Sequence, residues 1–533
     1  MTILSEKWPL VLSAVGIVCT GCYFGFYLSR KASNEKNGLF LSLPILIFVF
    51  SLIVRLAFIT KTFVPPYFDS VEHYRLIKEL TTAFESGNFL TILPGLTPGY
   101  YHLGFHFLAS LLNFGLRADP IDVILVLGQV ALAAIPIPLF FLILHVTKNT
   151  AAAFFGSLLA GFGWYMPGFA VNWGKYPAIT GLLVLELVLG IAYFIFQKNA
   201  HRTIWIGALI LGTFISTFIH SIALVVITIS FASWFLAGRL RTLSRLARYS
   251  STGVLFAGIL VLGILIQKEP LLKLTLEPYL EAGLWITLII LLLGPFAWIR
   301  FPREVYFSIL FILCVLACLF IPFDQILPGY ASQTLLDRPF VEMIMYFPLS
   351  ILGGLGLAGF LQFLGEIKPF PKRIYGYVKN LTAFLFIGLT AILLMGNYDF
   401  YPSDCCNFLG YDDTIAFDWL SRNSPPDAHI LVPSTEMNVL PSGPSADAVG
   451  TDAVIWIPNL TGRPIALMPF NLDFQSEDTV EQLCQQQINY IYVGNTDQSF
   501  AAAQLQKKTD WYEMVLLLPN AQLYRLANCP PAD

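Results

Sequence analysis

Pro65-Pro66-Tyr67-Phe68-Asp69-Ser70-Val71-Glu72-His73-Tyr74 is a polar stretch in a chain otherwise built from long apolar runs. Charged groups beside a bilayer cost free energy unless they are paired, hydrated or used, so chemistry is to be sought here first. Just downstream, Val71, Tyr74, Ile77, Leu80 and Phe84 fall at helical intervals, and Glu72, Arg75, Glu79 and Thr82 take the other side. That pattern predicts an amphipathic helix lying at the membrane interface. Asp69 followed by Glu72 has the spacing of a capping box, worth about 1 kcal/mol at a helix start. The same two carboxylates could instead act on a substrate, and both readings stand at this point.

Around this stretch, composition sets the class. Of 533 residues, 56% are hydrophobic and 12% are charged, about half the charged share of a soluble domain. Runs near the roughly 20 residues needed to cross a bilayer recur at Pro9–Leu28, Leu39–Thr60, Ile121–Val146, Ala151–Pro167, Pro177–Gln197 and Thr203–Ile219. They continue at Ser221–Gly238, Ser251–Gln267, Ala282–Ile299, Val305–Ile321, Val341–Phe363 and Leu381–Gly396. The expectation is a mainly α, polytopic bundle of about 12 spans over residues 1–396. The first run has no small-residue cleavage site after a short apolar core, so it is expected to be retained.

Short cytoplasmic loops collect Lys and Arg. The clusters at Arg30–Lys36, Lys198–Arg202, Arg239–Arg248, Arg300–Arg303 and Lys368–Lys379 share one side only if Tyr100–Leu116 does not cross. Both termini then face outward. The outer loop 61–120, with its interfacial helices, and everything from 397 to 533 lie on that outer side. The tail holds 17 acids against 5 bases, leaving 17 and 26 of the totals of 34 and 31 to the rest. It reads as a small extracytoplasmic α/β domain: helices at Asp413–Arg422 and Thr479–Gln487, strands at Ile430–Val432 and Asn489–Val493, and a hairpin of Met514–Leu518 with Gln522–Leu526. Ser434–Thr451, rich in Pro, Ser and Gly, reads as a long loop. Cys405, Cys406, Cys484 and Cys529 could form disulfides there, in a pairing the spacing does not choose.

Several outward residues carry chemistry. Lys175 and Arg338 could hold a phosphate; alternatively Lys175 snorkels between Trp173 and Tyr176 in an aromatic belt, and Arg338 pairs with its neighbour Asp337. His73, His102 and His106 are three of seven histidines, and the last two share a helical face at i, i+4. With Glu72 they could bind a divalent metal, or they could bond a sugar or line a wet cavity. Within the spans, Arg55 is expected to snorkel, and Glu186 needs a partner. No Walker loop or strand-linked Gly-x-Gly-x-x-Gly offers a nucleotide site, and the glycines from Gly353 to Gly359 read as helix packing.

The Asp before an interfacial helix with Glu72-His73-Tyr74, the Gly87-Asn88 turn and the segment Thr97-Pro98-Gly99-Tyr100-Tyr101-His102-Leu103-Gly104-Phe105-His106 together resemble the first outer loop of GT-C fold glycosyltransferases. Trp173-Gly174-Lys175-Tyr176-Pro177, Phe417-Asp418-Trp419-Leu420 and Trp456–Arg463 add to that resemblance. It implies transfer of a sugar from a polyprenyl-phosphate carrier to a glycan, lipid or protein acceptor on the outer face, with the first-loop acid as base or as a substrate or metal contact. By it, Asp69 and Glu72 are the candidate catalytic residues, and His73, His102, His106, Trp173, Lys175, Tyr176 and Arg338 the candidate substrate contacts. This chain has Asp69-Ser70 where many relatives carry two adjacent acids, and it lacks the Trp-Trp-Asp-Tyr-Gly signature of oligosaccharyltransferases. Glycan transfer to asparagine is therefore not expected, nor is a nucleic-acid partner. Two other classes fit the span pattern: a lipid or solute transporter, which should show internal repeats that are not found here, and a non-catalytic envelope scaffold. In the tail, Trp419, Trp456 and Arg463 are candidates to bind acceptor glycan, or are simply core.

Overall fold

The computed structural model describes residues 38–88, 102–196, 202–240, 245–323, 334–366, 372–397, 402–438 and 446–528. The run Pro9–Leu28, the segment Thr97–Tyr101, Lys198, Arg241, Lys368 and Cys529 lie outside them.

The membrane part begins with α1 (Gly38–Ile59), followed by α2 (Phe68–Ser86) and α3 (Gly104–Leu116). Next come α4 (Pro120–Ala134) and α5 (Pro136–Thr147), which run on as one apolar stretch of 28 residues. Asp119 starts α4 by accepting from the Ile121 N–H, with Pro120 at the first helical position, and Asn149 starts α6 (Thr150–Leu158) in the same way. α6 widens into a π-helical turn at Leu159–Gly163 and, after a break, a short 3₁₀ turn at Gly168–Trp173. Then follow α7 (Tyr176–Phe196), α8 (Arg202–Ile219), α9 (Ile222–Leu240), α10 (Arg245–Lys268), α11 (Pro270–Leu280), α12 (Leu284–Arg300), α13 (Pro302–Ala317), α14 (Arg338–Ile344), α15 (Tyr346–Glu366) and α16 (Lys372–Asn397).

Among the described residues six helices are long and apolar enough to cross a membrane, or seven if α11 and α12, bent by 87° at their junction, count as one span. Four shorter apolar helices accompany them, including Leu43–Ile59 and Thr203–Ile219. This is an integral membrane protein. α3, at 13 residues, is about 20 Å long against a hydrocarbon core of about 30 Å. The glycines of α15 permit close packing as read: a β-carbon on Gly356 or Gly359 would overlap Leu293 or Phe296 of α12. Glu186 finds its partner in Tyr346, whose hydroxyl donates to Oε1 at 2.6 Å. Arg55 does not snorkel: it is 8% exposed, with Nη2 3.5 Å from the Gly161 carbonyl of the π-helical turn.

The tail is an α/β layer built on one sheet. Its elements are α17 (Tyr411–Asn423), β1 (His429–Asn438), β2 (Ala446–Gly450), α18 (Ile457–Thr461), β3 (Ile465–Pro469), α19 (Glu477–Gln485), β4 (Ile488–Val493), α20 (Ala502–Gln506), β5 (Tyr512–Leu517) and β6 (Gln522–Leu526). The strand order is β2-β1-β4-β6-β5, with β3 also paired to β1. β1 runs parallel to β3 and β4, whereas β5 and β6 form the expected hairpin. Successive side chains leave a strand on opposite faces. Leu431 accordingly packs with Val480 and Leu483 of α19, while Ile430 and Val432 join Phe417 and Leu420 of α17 in the core that continues into the membrane part. The expected loop at Ser434–Thr451 is partly sheet instead, since Ser434–Asn438 pairs antiparallel with Ala446–Gly450.

Candidate active site

Asp69 and Lys175 lie 106 residues apart and meet at 2.5 Å, the ammonium donating to Oδ2. Both remain partly open, with side chains 35% and 25% exposed. Asp69 comes from the first turn of α2, which buries Tyr74, Ile77 and Leu80 as the periodicity predicts and ends on Gly87 in the left-handed region. Lys175 comes from the turn between the 3₁₀ segment and α7. That turn needs Gly174: its φ is +65°, and an added β-carbon would sit 2.8 Å from Ser70 Oγ and 3.1 Å from Ser70 N.

His73, buried behind the pair, fastens the same turn. Its Nε2 is 2.9 Å from the Gly174 carbonyl, and its Nδ1 is 2.9 Å from Nε2 of His106. A carbonyl only accepts, so a neutral His73 carries its proton on Nε2, donates it to the Gly174 carbonyl and accepts a hydrogen bond at Nδ1 from the His106 Nε2–H. Burial pushes the His73 imidazole down to about 4, against the opposing pull of Asp69 and the Gly174 carbonyl. It is therefore neutral at physiological pH. Tyr67, at the entry to α2 with φ 70°, feels Asp69, Lys175 and Arg338 together. Burial and then Asp69 raise its pKa, while the two cations oppose the rise, so the phenol keeps its proton. Arg338 thus belongs to the same electrostatic neighbourhood.

The tail closes this region from one side. The Tyr67 N–H donates to the Cys406 carbonyl at 3.0 Å, and Ser403 N–H donates to Asn172 Oδ1 at 2.8 Å. Phe408 contacts the rings of Tyr67 and Phe68, and Trp456 stands edge-on to Tyr74. Cys405 and Cys406 are joined to each other, and Cys484 is also disulfide-bonded.

A family model described as "Family of unknown function (DUF6541)" matches residues 6–275, just over half of the chain. The chain belongs to that family. A comparison with curated proteins finds no match. Among solved structures, the DUF6541 protein is similar to the oligosaccharyltransferase of Archaeoglobus fulgidus, crystallised with Zn and sulfate: TM-score 0.52 and 11% identity, covering 91% of this chain and 73% of that one. ArnT from Cupriavidus metallidurans matches with a TM-score of 0.45 and 12% identity, covering 91% of this chain and 97% of its own. The likeness to the oligosaccharyltransferase is one of fold, in keeping with the fold that the sequence resemblance implies.

Not every residue singled out in this DUF6541 sequence reaches the Asp69–Lys175 pair. Neither carboxylate of the expected capping box caps: α2 starts at Phe68, one residue before Asp69, and has no side-chain cap. Both oxygens of Glu72 are taken by the Arg75 guanidinium, at 2.9 Å for the Nε bond, and Glu79 shares that arginine. His102 lies ahead of α3 rather than on it, and its ring meets that of His220 at 3.9 Å with the planes tilted by 42°, while His106 turns to His73. Glu72, His102 and His106 therefore do not form a metal set, and among the described residues no group of three or more His, Cys, Asp or Glu could hold a cation.

Tyr176 is fully buried, with its ring over Gly128 and beside Phe105, so it offers nothing to a substrate from outside. Trp173 is half-buried against Phe169. Arg338 pairs with Glu342 at 3.5 Å, not with Asp337, which accepts from Thr334 instead. Arg463 is structural, donating to the carbonyls of Thr461, Ser421 and Ser424, and Trp456 is core at 1% exposure. Sequence reasoning missed Tyr67 and Asn172. The two prolines before Tyr67 were the available signal of a fixed, extended entry to the helix.

Proposed function

We propose that the protein is a membrane glycosyltransferase that moves a sugar from a polyprenyl-phosphate carrier to a glycan, lipid or protein acceptor on the outer face of the membrane. The observation that carries this reading is the Asp69–Lys175 pair at the start of an amphipathic helix. It joins the two groups the reaction needs, a base and a phosphate-binding cation. In the free protein each neutralises the other. A donor phosphate competes for Lys175, with Arg338 and the Tyr67 hydroxyl as further donors, and that frees Asp69 to take the acceptor's proton. The acceptor oxygen then bonds to the anomeric carbon as the bond from that carbon to the carrier phosphate breaks. The phosphate leaves with the electron pair toward Lys175. One displacement inverts the anomeric centre. No step passes through a metal or through Glu72.

An outward tail is supported by its two disulfide-bonded sites, Cys405–Cys406 and Cys484, and by the basic residues at the other ends of the helices. In purified protein reconstituted in lipid, a panel of radiolabelled polyprenyl-phosphate sugars with membrane acceptors should yield transfer. Asp69→Asn, correctly folded, should lower the rate by about 10²–10⁴-fold. Undiminished transfer by Asp69→Asn removes Asp69 as the base. Substrate counterflow in vesicles without any transfer replaces the enzyme reading with a transporter.

A further inference from the structure

A second site lies at the far end of α7 from Lys175. Tyr193 stands 17 residues along that helix from Tyr176, about 26 Å at 1.5 Å per residue. There, Leu189 and Tyr193 of α7, Phe231 and Trp234 of α9, Phe307 of α13 and Phe347 of α15 line a shallow apolar crevice open on one side. Phe235 and Leu236, next along α9, are 60% and 49% exposed, as side chains facing lipid are. Above the crevice the Arg303 guanidinium lies 4.2 Å from the centre of the Trp234 indole.

Two features of this corner are unfinished. Arg303 Nε and Trp234 Nε1 are both shielded from solvent and have no hydrogen-bond acceptor among the described residues. Arg300, by contrast, is paired with Glu366; Arg303 has no carboxylate within ion-pair distance among the described residues. Shielded donors are ordinarily satisfied. Two orphans side by side, one of them a permanent cation, at the rim of an apolar slot, call for a ligand that carries an anionic acceptor joined to an apolar chain. Arg239, whose guanidinium lies over Phe235 at 5.0 Å, adds positive charge to the same end of the bundle.

We infer that this corner binds an anionic phospholipid, its phosphate oxygens accepting from Arg303 and Trp234 and one acyl chain lying in the crevice. Basic pockets between transmembrane helices suit such headgroups, because the guanidinium fork matches a phosphate and the low dielectric strengthens the pairing. The occupant is a lipid and not a free phosphate, since the walls below the two donors are almost wholly apolar. This site is independent of the glycosyltransferase reading and uses none of its residues.

Native mass spectrometry of the full-length protein in detergent, titrated with phosphatidylglycerol or with phosphatidylcholine of the same chains, tests the inference. Phosphatidylglycerol should be retained preferentially. Arg303→Gln should weaken its binding about fivefold, the effect of one arginine at a headgroup, and leave phosphatidylcholine nearly unchanged. Trp234→Phe keeps the ring and removes only the N–H, so it probes the same site if the arginine variant fails to fold; it should also lower retention. Inorganic phosphate at matched concentration should not compete. Equal retention of the two lipids, anionic-lipid binding unaltered in both variants, or competition by inorganic phosphate would each overturn the assignment.

Discussion

Gly174→Ala puts the proposed architecture of the site to its sharpest test. At φ +65° an alanine pays the left-handed penalty of about 1 kcal/mol. Its β-carbon would also lie 2.8 Å from Ser70 Oγ and 3.1 Å from both Ser70 N and Asp69 Cβ. The Ser70 hydroxyl can swing away only by giving up its bond to the Pro66 carbonyl, about 1 kcal/mol for a buried hydrogen bond. The backbone nitrogen cannot move without moving the start of α2. A total cost of about 2–3 kcal/mol follows. Gly87→Ala is the natural control, since Gly87 has φ +70° with nothing within 4 Å of an added β-carbon, so it reports backbone strain alone. Thermal unfolding of the two variants in one detergent should place Gly174→Ala below Gly87→Ala. Because the added methyl pushes the Lys175 turn away from Asp69, transfer should fall tenfold or more in Gly174→Ala alone, a misplacement of a few tenths of an ångström to 1 Å being enough. If Gly174→Ala is as stable as Gly87→Ala and transfers at the wild-type rate, the turn does not set the pair.

Other outcomes are expected. His73→Leu strands the Gly174 carbonyl and the His106 N–H and should cost about 2 kcal/mol, with a matching drop in transfer; His73→Gln, which can still donate to that carbonyl, should recover part of both when the two are assayed together. Tyr346→Phe removes the donor to Glu186 in the bundle core and should lower stability by about 1–3 kcal/mol; adding Glu186→Leu should restore some of it, which a double-mutant cycle on detergent unfolding would read. In the tail, burial pushes the Asp413 carboxyl up to about 6 from 3.8, opposed by hydrogen bonds from Tyr492 and Gly410. A raised folded-state value means stability that is fully present below about 3.8 and lost as pH rises through about 6, in all about 3 kcal/mol. Unfolding of the tail, followed by fluorescence in the full-length protein, should be easier at pH 7 than at pH 4. Asp413→Asn should flatten much of that slope, Asp452 retaining the rest because its own pKa is raised by burial, and an unchanged slope would remove Asp413 from the account.

Much of the scaffold could be read directly from residues. Span-length apolar runs and the face of Tyr74, Ile77 and Leu80 are local properties, and local periodicity reports them. The pairing of Asp69 with Lys175 is a different matter: 106 residues separate them, and no local pattern encodes a contact made by tertiary packing. Where a helix begins also mattered more than spacing could tell. Starting α2 at Phe68 draws Asp69 inside the first turn and away from the cap, and starting α3 at Gly104 leaves His102 outside it, so an i, i+4 pair of histidines parts company. β2 pairs through Ala446–Gly450, a short run of small residues with a single acid, which shows no alternation of apolar and polar positions and so reads as loop. Arg55 escaped the snorkelling rule because the π-helical turn leaves a carbonyl for it deep in the bundle.

The strap from Ser403 to Phe408 holds both halves of the site, touching Asn172 on the loop of Lys175 and Tyr67 on the approach to Asp69. Those residues leave the ribosome after all the described membrane helices, the last of which ends at Asn397. A nascent chain can therefore have its apolar helices in place and still lack the brace that spans the Asp69 and Lys175 loops, so the arrangement of that pair waits on a segment made after the helices that carry it.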